Sequence, residues 1–268
     1  MSKSKRPVVL TIAGSDSSCG AGAQADLKTI SAHDCYGLTA ITCIVAEVPG
    51  KVKSIQPVKP EILRDQLEVL FAAYPIAAVK TGMLYSSALI HVVADALEKA
   101  ARKQKFALVV DPVMVATSGT PLLRKNAIED YRQRLFPLAD LITPNLDELC
   151  ILAGVREIRD LEAMKLAGHS LRRRYNCAFL LKGGHLRSKT AVDVLVTRTV
   201  EKRYSAAFIQ NVHTHGTGCT YSAAIAANLA HKMPLPEAVG SAKKYITRAI
   251  RQHLRWGNIC ALENFPQG

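Results

Sequence analysis

Val8-Val9-Leu10-Thr11-Ile12-Ala13 is a mostly apolar run that breaks at Gly14, passes through Ser15-Asp16-Ser17-Ser18-Cys19-Gly20-Ala21-Gly22, and enters a helical stretch near Ala25–Ala32. A run with so little polar alternation suits a strand covered on both faces, which is the situation of strands in parallel sheets. The pattern recurs along the chain. Further strand candidates are Ile76–Lys80, Ala107–Asp111, Leu138–Thr143, Ala178–Lys182 and Ala191–Val196, with amphipathic helical stretches at Glu61–Ala73, Ser87–Ala101, Asn126–Phe136 and Leu161–Tyr175. Short apolar runs alternating with helices predict βαβ units and a mostly parallel sheet. The last third reads as helical, Cys219–Ala230 and Leu235–His253, divided by Met233-Pro234. Six strong strands with a helical tail fall short of an eightfold barrel repeat, so the expectation is an α/β sandwich. Two strand-like segments, Tyr36–Ala46 and Val52–Gln56, joined through Pro49-Gly50, interrupt the rhythm and are expected to cover something.

The chain has 268 residues, 49% of them apolar, with 35 Lys+Arg against 22 Asp+Glu for a net charge of +13. That length suits one large domain over 1–268, with a core that needs no disulfide or structural metal. No apolar run approaches the roughly 18–20 residues of a membrane span. The basic start Met1–Pro7 is followed by too short an apolar run for a secretory signal, so a cytosolic protein is expected. Seven cysteines, an odd number with no C-x-x-C pair, fit reduced thiols that mostly pack as small hydrophobes. The basic clusters Arg172-Arg173-Arg174 and Arg102-Lys103-Gln104-Lys105 sit near the ends of amphipathic stretches and are not interleaved with aromatics. They favour solubility, or attraction of anionic ligands, over nucleic-acid binding.

Strand ends in such sheets border the ligand crevice, and five of them carry polar or glycine-rich turns. Gly14–Gly22 offers small residues for a close backbone approach, or is simply a flexible turn. His213-Thr214-His215-Gly216-Thr217-Gly218-Cys219-Thr220 opens a helix, so free N–H groups and the helix dipole there suit an anion. Cys219 in that first turn is expected to have a lowered thiol pKa and to serve as a general base, or else to pack as a small residue. Thr143-Pro144-Asn145-Leu146-Asp147-Glu148 places Asn145 and Glu148 on one helical face, suited to magnesium held through water, while Asn145 equally reads as an N-cap. Lys182-Gly183-Gly184-His185 presents a lysine for a phosphate or a surface lysine before a turn. Asp111-Pro112 gives a carboxylate for a hydrated metal or a turn-forming pair.

Taken together, the stretches AGSDSSCGAGAQADLKT, YGLTAITC, KTGML, VDPVM with SGTPLL, LITPNLDEL, LLKGGH and HTHGTGCTYSAAIAA resemble the hydroxymethylpyrimidine/phosphomethylpyrimidine kinases of thiamine biosynthesis. These are a branch of the ribokinase-like superfamily, and the stretches fall in the family's order. The resemblance implies a three-layer α/β/α sandwich with a mostly parallel sheet and a small strand cover at 36–56, Mg-ATP as donor, a small pyrimidine as acceptor, and a homodimer. It further implies that Gly216, Thr217 and Gly218 form an anion hole and that Cys219 stands where many relatives have an aspartate base. Lys182 would contact the transferred phosphoryl group, Glu148 with Asn145 and Asp111 would organise magnesium, and Lys243 would lie near the adenine. Gly14, Asp26, Met83 and Val113 would line the pyrimidine pocket.

Three departures from the family pattern stand out: Cys19 replaces a glycine, Glu47 replaces the pocket glutamine, and Trp256–Gly268 lacks the closing segment that contains glycine and histidine. An ionised carboxylate only accepts hydrogen bonds, so Glu47 asks for a ligand edge with two donors, such as a protonated ring nitrogen beside an amine, or else for its own proton. The implied activity is phosphorylation of 4-amino-5-hydroxymethyl-2-methylpyrimidine and then of its monophosphate. Pyridoxal kinase is the second reading and a ligand-binding regulator without turnover the third.

Overall fold

The computed structural model describes residues 6–114, 127–184, 186, 190–210, 212 and 215–267. The stretch Ser118–Leu123, His185, His213, Thr214 and the expected helix start at Asn126 lie outside them. The described elements are β1 (Val8–Asp16), α1 (Gly22–Ala32), β2 (Tyr36–Val48), β3 (Lys51–Pro57), α2 (Pro60–Ala73), β4 (Ile76–Thr81), α3 (Ser87–Ala101), β5 (Ala107–Val110), α4 (Ala127–Asp130), β6 (Leu141–Ile142), α5 (Leu146–Ala153), α6 (Leu161–Tyr175), β7 (Ala178–Gly183), β8 (Thr190–Val196), β9 (Glu201–Ala207), α7 (Thr217–Ala230), α8 (Leu235–Arg251), β10 (Leu254–Trp256) and β11 (Ile259–Ala261).

Nine strands form one sheet in the order β3-β2-β1-β4-β5-β6-β7-β8-β9, and β10 and β11 form a separate hairpin. The run from β2 to β7 is parallel. Beyond it β3 pairs antiparallel with β2, and β8 and β9 continue antiparallel from β7. Side chains alternate across the sheet with the two-residue strand period. Val8, Leu10 and Ile12 of β1, with Phe179 and Leu181 of β7, face one buried cluster shared with α2, α3, α5 and α6. Val9 and Leu180 face the other, shared with α1, α7 and α8. Two apolar faces of one sheet, each roofed by helices, make the three layers, so the near-continuous apolar runs read in the sequence have the cause assigned to them.

Three local expectations change. The stretch Leu138–Thr143 is a strand only at Leu141–Ile142, because Pro137 sits in a 3-10 turn over Phe136–Leu138 just before it. The helix expected up to Phe136 is α4 followed by a π-helical turn, Tyr131–Leu135, which seats the buried Tyr131 so that its hydroxyl donates to the Gly82 carbonyl at 3.2 Å. Tyr36–Ala46 does not stand apart: β2 is the parallel neighbour of β1, and the overhang comes from its outer end with the β2–β3 turn. Charged Glu201-Lys202-Arg203 hid β9 from a hydrophobicity reading, yet such residues suit a sheet-edge strand. Among the described residues, no helix is long and apolar enough to cross a membrane.

Candidate active site

The parallel strands all end on one edge, and the amino end of α7 faces it across a cavity of about 680 Å³. The lining includes Gly14, Glu47, Met83, Asp111, Val113, Asn145, Glu148, Lys182, Gly216, Thr217, Gly218, Cys219 and Lys243. Residues as far apart in sequence as Gly14 and Lys243 thus meet because strand ends and one helix start are geometric neighbours. A second hollow of about 800 Å³ lies between α2 and α3, lined by none of these residues.

Helix α7 starts with Gly216 at φ 81°, a left-handed conformation that a side chain disfavours, and a Cβ there would collide with the Gly20 carbonyl. That close approach locks the α7 start to the loop after β1. A Cβ at Gly218 would lie 3.2 Å from Lys182 Nζ and 3.8 Å from Asp111 Oδ2. The first turn of α7, with its unpaired N–H groups, therefore rests directly on the Lys182–Asp111 ion pair, whose separation is 2.9 Å.

Asp111 is 2% exposed and also accepts from Thr143 Oγ1 and Ser222 Oγ, each at 3.1 Å. Burial works against its charge, but Lys182 and Lys80 outweigh it and hold the carboxyl below the usual range. Burial likewise opposes the charge on Lys182, and Asp111 with Glu148 reverses that, so the ammonium persists. Glu148 goes the other way: burial pushes its carboxyl up to about 7, with Lys182 opposing and Asp111 adding to the rise. Asn145 is the N-cap of α5, accepting from Glu148 N while the Glu148 carboxylate accepts from Asn145 N, each at 2.9 Å. Both readings of this pair therefore meet in one structure, since the capping box is what turns Glu148 toward the cavity.

Cys219 lines the cavity beside this network, but its thiol is not activated as expected. Burial pushes it up to about 11, and the nearby Lys80 only partly counters that. The helix amino end lowers a thiol pKa when water reaches the sulfur; here desolvation dominates. Asp26 also differs from expectation. It is fully buried behind the wall rather than in it, 2.8 Å from Lys80 Nζ and accepting from Thr11 Oγ1 at 2.6 Å. Lys80 and Gly14 present the surface instead. A Cβ on Gly14 would sit 2.8 Å from Cys43 Sγ and 3.7 Å from Met83 Sδ, so the glycine leaves room above a sulfur-lined floor. Lys243 lines the far end of the cavity in a 2.7 Å ion pair with buried Asp193.

Sequence reading missed Lys80, Asp193 and the pair formed by Asp16 and His215. His215 Nε2 lies 3.0 Å from Asp16 Oδ2 and 3.8 Å from Glu47 Oε2. Asp16 is held below its ordinary pKa: burial raises it, but bonds from His215, Ser18 and Ala21 prevail. His215 is raised because the Asp16 partner outweighs burial, and Glu47 is raised by burial and by Asp16. Ligand atoms of Asp16, Glu47 and His215 lie within 4.8 Å of one another and could coordinate a divalent cation. Cys19 adopts φ 57° in the same loop, the left-handed region that suits glycine better.

The sequence model of the phosphomethylpyrimidine kinase family matches residues 16–262, nearly the whole chain and every strand end described above. The chain belongs to that family. It is therefore a kinase, and the site just described is the active-site candidate of a phosphomethylpyrimidine kinase family member. The hydroxymethylpyrimidine/phosphomethylpyrimidine kinase of Rhizobium meliloti is 42% identical over 91% of this chain and 90% of its own length. The thiamine biosynthesis bifunctional protein ThiED of Geobacter sulfurreducens is 44% identical over 92% of this chain, which spans about half (49%) of that longer protein. Among solved structures, an ADP complex of Bacillus subtilis pyridoxal kinase superposes with a TM-score of 0.89 at 35% identity, covering 97% of this chain and 98% of that one.

Proposed function

We propose that the chain, acting as one kinase domain, transfers the γ-phosphoryl group of ATP to 4-amino-5-hydroxymethyl-2-methylpyrimidine and then to its monophosphate, giving the diphosphate. The observation that carries this reading is that Gly14, Met83, Val113, Glu47, Lys182, the α7 start and Lys243 all line one cavity. Phosphoryl transfer needs positioning and charge stabilisation more than covalent help, and this arrangement supplies both. The N–H groups at Gly216–Gly218 and the Lys182 ammonium would stabilise charge on the moving phosphoryl group. Magnesium, held through water by Glu148 and Asp111, would screen the nucleotide phosphates. Every Asp111 oxygen already accepts a protein hydrogen bond, which supports water-mediated over direct contact. Cys219, in its ionised form, would take the proton of the alcohol in the first step; the second acceptor is already an anion and needs no base. The outer end of β2 covers the acceptor and excludes water that would hydrolyse ATP. A homodimer rests on the family resemblance, and a cytosolic location on the short apolar run after the basic start.

Glu47 favours a second reading, pyridoxal as acceptor. Its carboxylate lines the cavity, and the imidazole of His215 at 3.8 Å stands beside it. A pyridinium N–H would find an acceptor there, as would a protonated aminopyrimidine. Turnover of ATP with the pyrimidine alcohol, its monophosphate and pyridoxal, measured side by side, tests both. Activity on the first two sustains the proposal, activity on pyridoxal alone replaces it, and activity on none leaves a regulator. With Glu47→Gln, unchanged affinity and pH dependence would remove Glu47 from ring recognition.

A further inference from the structure

The far end of the cavity is a slot with apolar walls: Phe208, Ile209 and Val212 after β9, Ile246 and Ile250 of α8, and Ile259 of the β10–β11 hairpin. A flat heterocycle fits such a slot, but only polar groups can tell one base from another. Those from the helix are already engaged. Lys243 Nζ is paired with Asp193, and Thr247 Oγ1 donates to the Lys243 carbonyl at 2.8 Å. The cavity lining contains two side-chain amides, and Asn145 has its oxygen committed to the α5 cap. The other, Asn258, has no side-chain hydrogen bond among the described residues. It occupies the second position of the two-residue turn between β10 and β11, after Gly257 at φ 55°, as a type II′ turn requires. The turn therefore presents Asn258 to the cavity, where no described residue engages its donors or its acceptor.

Resting on the reading of ATP as donor, we propose that Asn258 reads the base edge of the nucleotide and selects adenine over guanine. A carboxamide pairs with the amino group and ring nitrogen of adenine by one donated and one accepted bond, whereas the matching edge of guanine presents two acceptors. The hairpin is the selecting element. Cross-strand pairing sets Trp256 opposite Ile259, so both side chains stand on one face of the hairpin. Trp256 is the single tryptophan of the chain and is 61% exposed. Its cross-strand partner Ile259 lines the cavity, so Trp256 emission reports on the hairpin.

The test compares kcat/KM for ATP and for GTP in the wild type, Asn258→Ala and Asn258→Asp, using the acceptor that the enzyme turns over. Trp256 emission is followed during titration with ADP and, separately, with inorganic tripolyphosphate. Both variants are expected to lose about tenfold or more of the ATP preference, through KM for ATP, with kcat within about twofold. ADP is expected to change the tryptophan emission and tripolyphosphate to leave it unaltered. The aspartate variant keeps a good turn former, so loss in both variants with unchanged melting temperatures excludes a collapsed hairpin. An unchanged ATP-to-GTP ratio in the variants, or emission that ignores ADP while ATP is turned over, overturns the proposal and leaves the kinase reading intact. Absence of turnover with either nucleotide refutes that reading and this proposal with it.

Discussion

Replacing Cys219 by alanine distinguishes a base from a packing residue. With its pKa at about 11, the thiol at pH 7.5 is ionised in about one molecule in 3,000, since each unit of pH below the pKa costs tenfold. If the alcohol proton goes to the thiolate, single-turnover rates on the pyrimidine alcohol climb about tenfold per pH unit between pH 6 and 9, because the thiolate fraction does. Removal of the sulfur then costs the first phosphorylation about 100- to 10,000-fold, the usual contribution of a general base, and abolishes the slope. The second phosphorylation, whose acceptor is an anion already, falls by less than about tenfold, since Lys182 and the α7 start still hold the charge. Rapid-quench measurement of both steps isolates chemistry from product release. Equal losses in the two steps, or a flat pH profile on the alcohol, would refute the assignment of the proton to sulfur.

Asp26→Asn leaves Lys80 charged and fully buried without its partner, so a loss of about 3–5 kcal/mol in urea unfolding is expected; a loss below about 1 kcal/mol contradicts the pairing. Gly216→Ala forces a side chain into the Gly20 carbonyl at φ 81°, displacing the anion-binding N–H groups. A fall of about 100-fold or more in kcat is expected with the circular dichroism spectrum intact, and normal turnover contradicts the placement. His215 is raised and Asp16 lowered by their bond. Their stabilisation is therefore complete between about pH 4 and 6.5, fading as pH rises through the folded His215 pKa or falls below the ordinary Asp range. The melting-temperature gap between wild type and His215→Ala should be widest near pH 5.5 and narrow as pH rises through the raised His215 pKa; a gap independent of pH would count against the ion pair.

The amino-acid order by itself determined the layering and the place of the site. Apolar runs without polar alternation can be buried only between two helical layers, and glycine at Gly216 and Gly218 marks a helix start open to an anion. The motifs also named Lys182, Asp111 and Glu148, because strand ends are where a parallel sheet exposes side chains. Charge states were decided only by tertiary structure. Cys219 looked activated from its position in a first turn, yet burial beside Asp26 and Asp111 raises its thiol. Asp26 looked like a pocket residue but lies behind the wall, tied to a lysine 54 positions away. Pairings such as Asp16 with His215 or Lys243 with Asp193 join elements that touch only after the sheet closes. Local sequence fixes which way a helix or strand begins, whereas desolvation and long-range charge exist only once those elements are packed together.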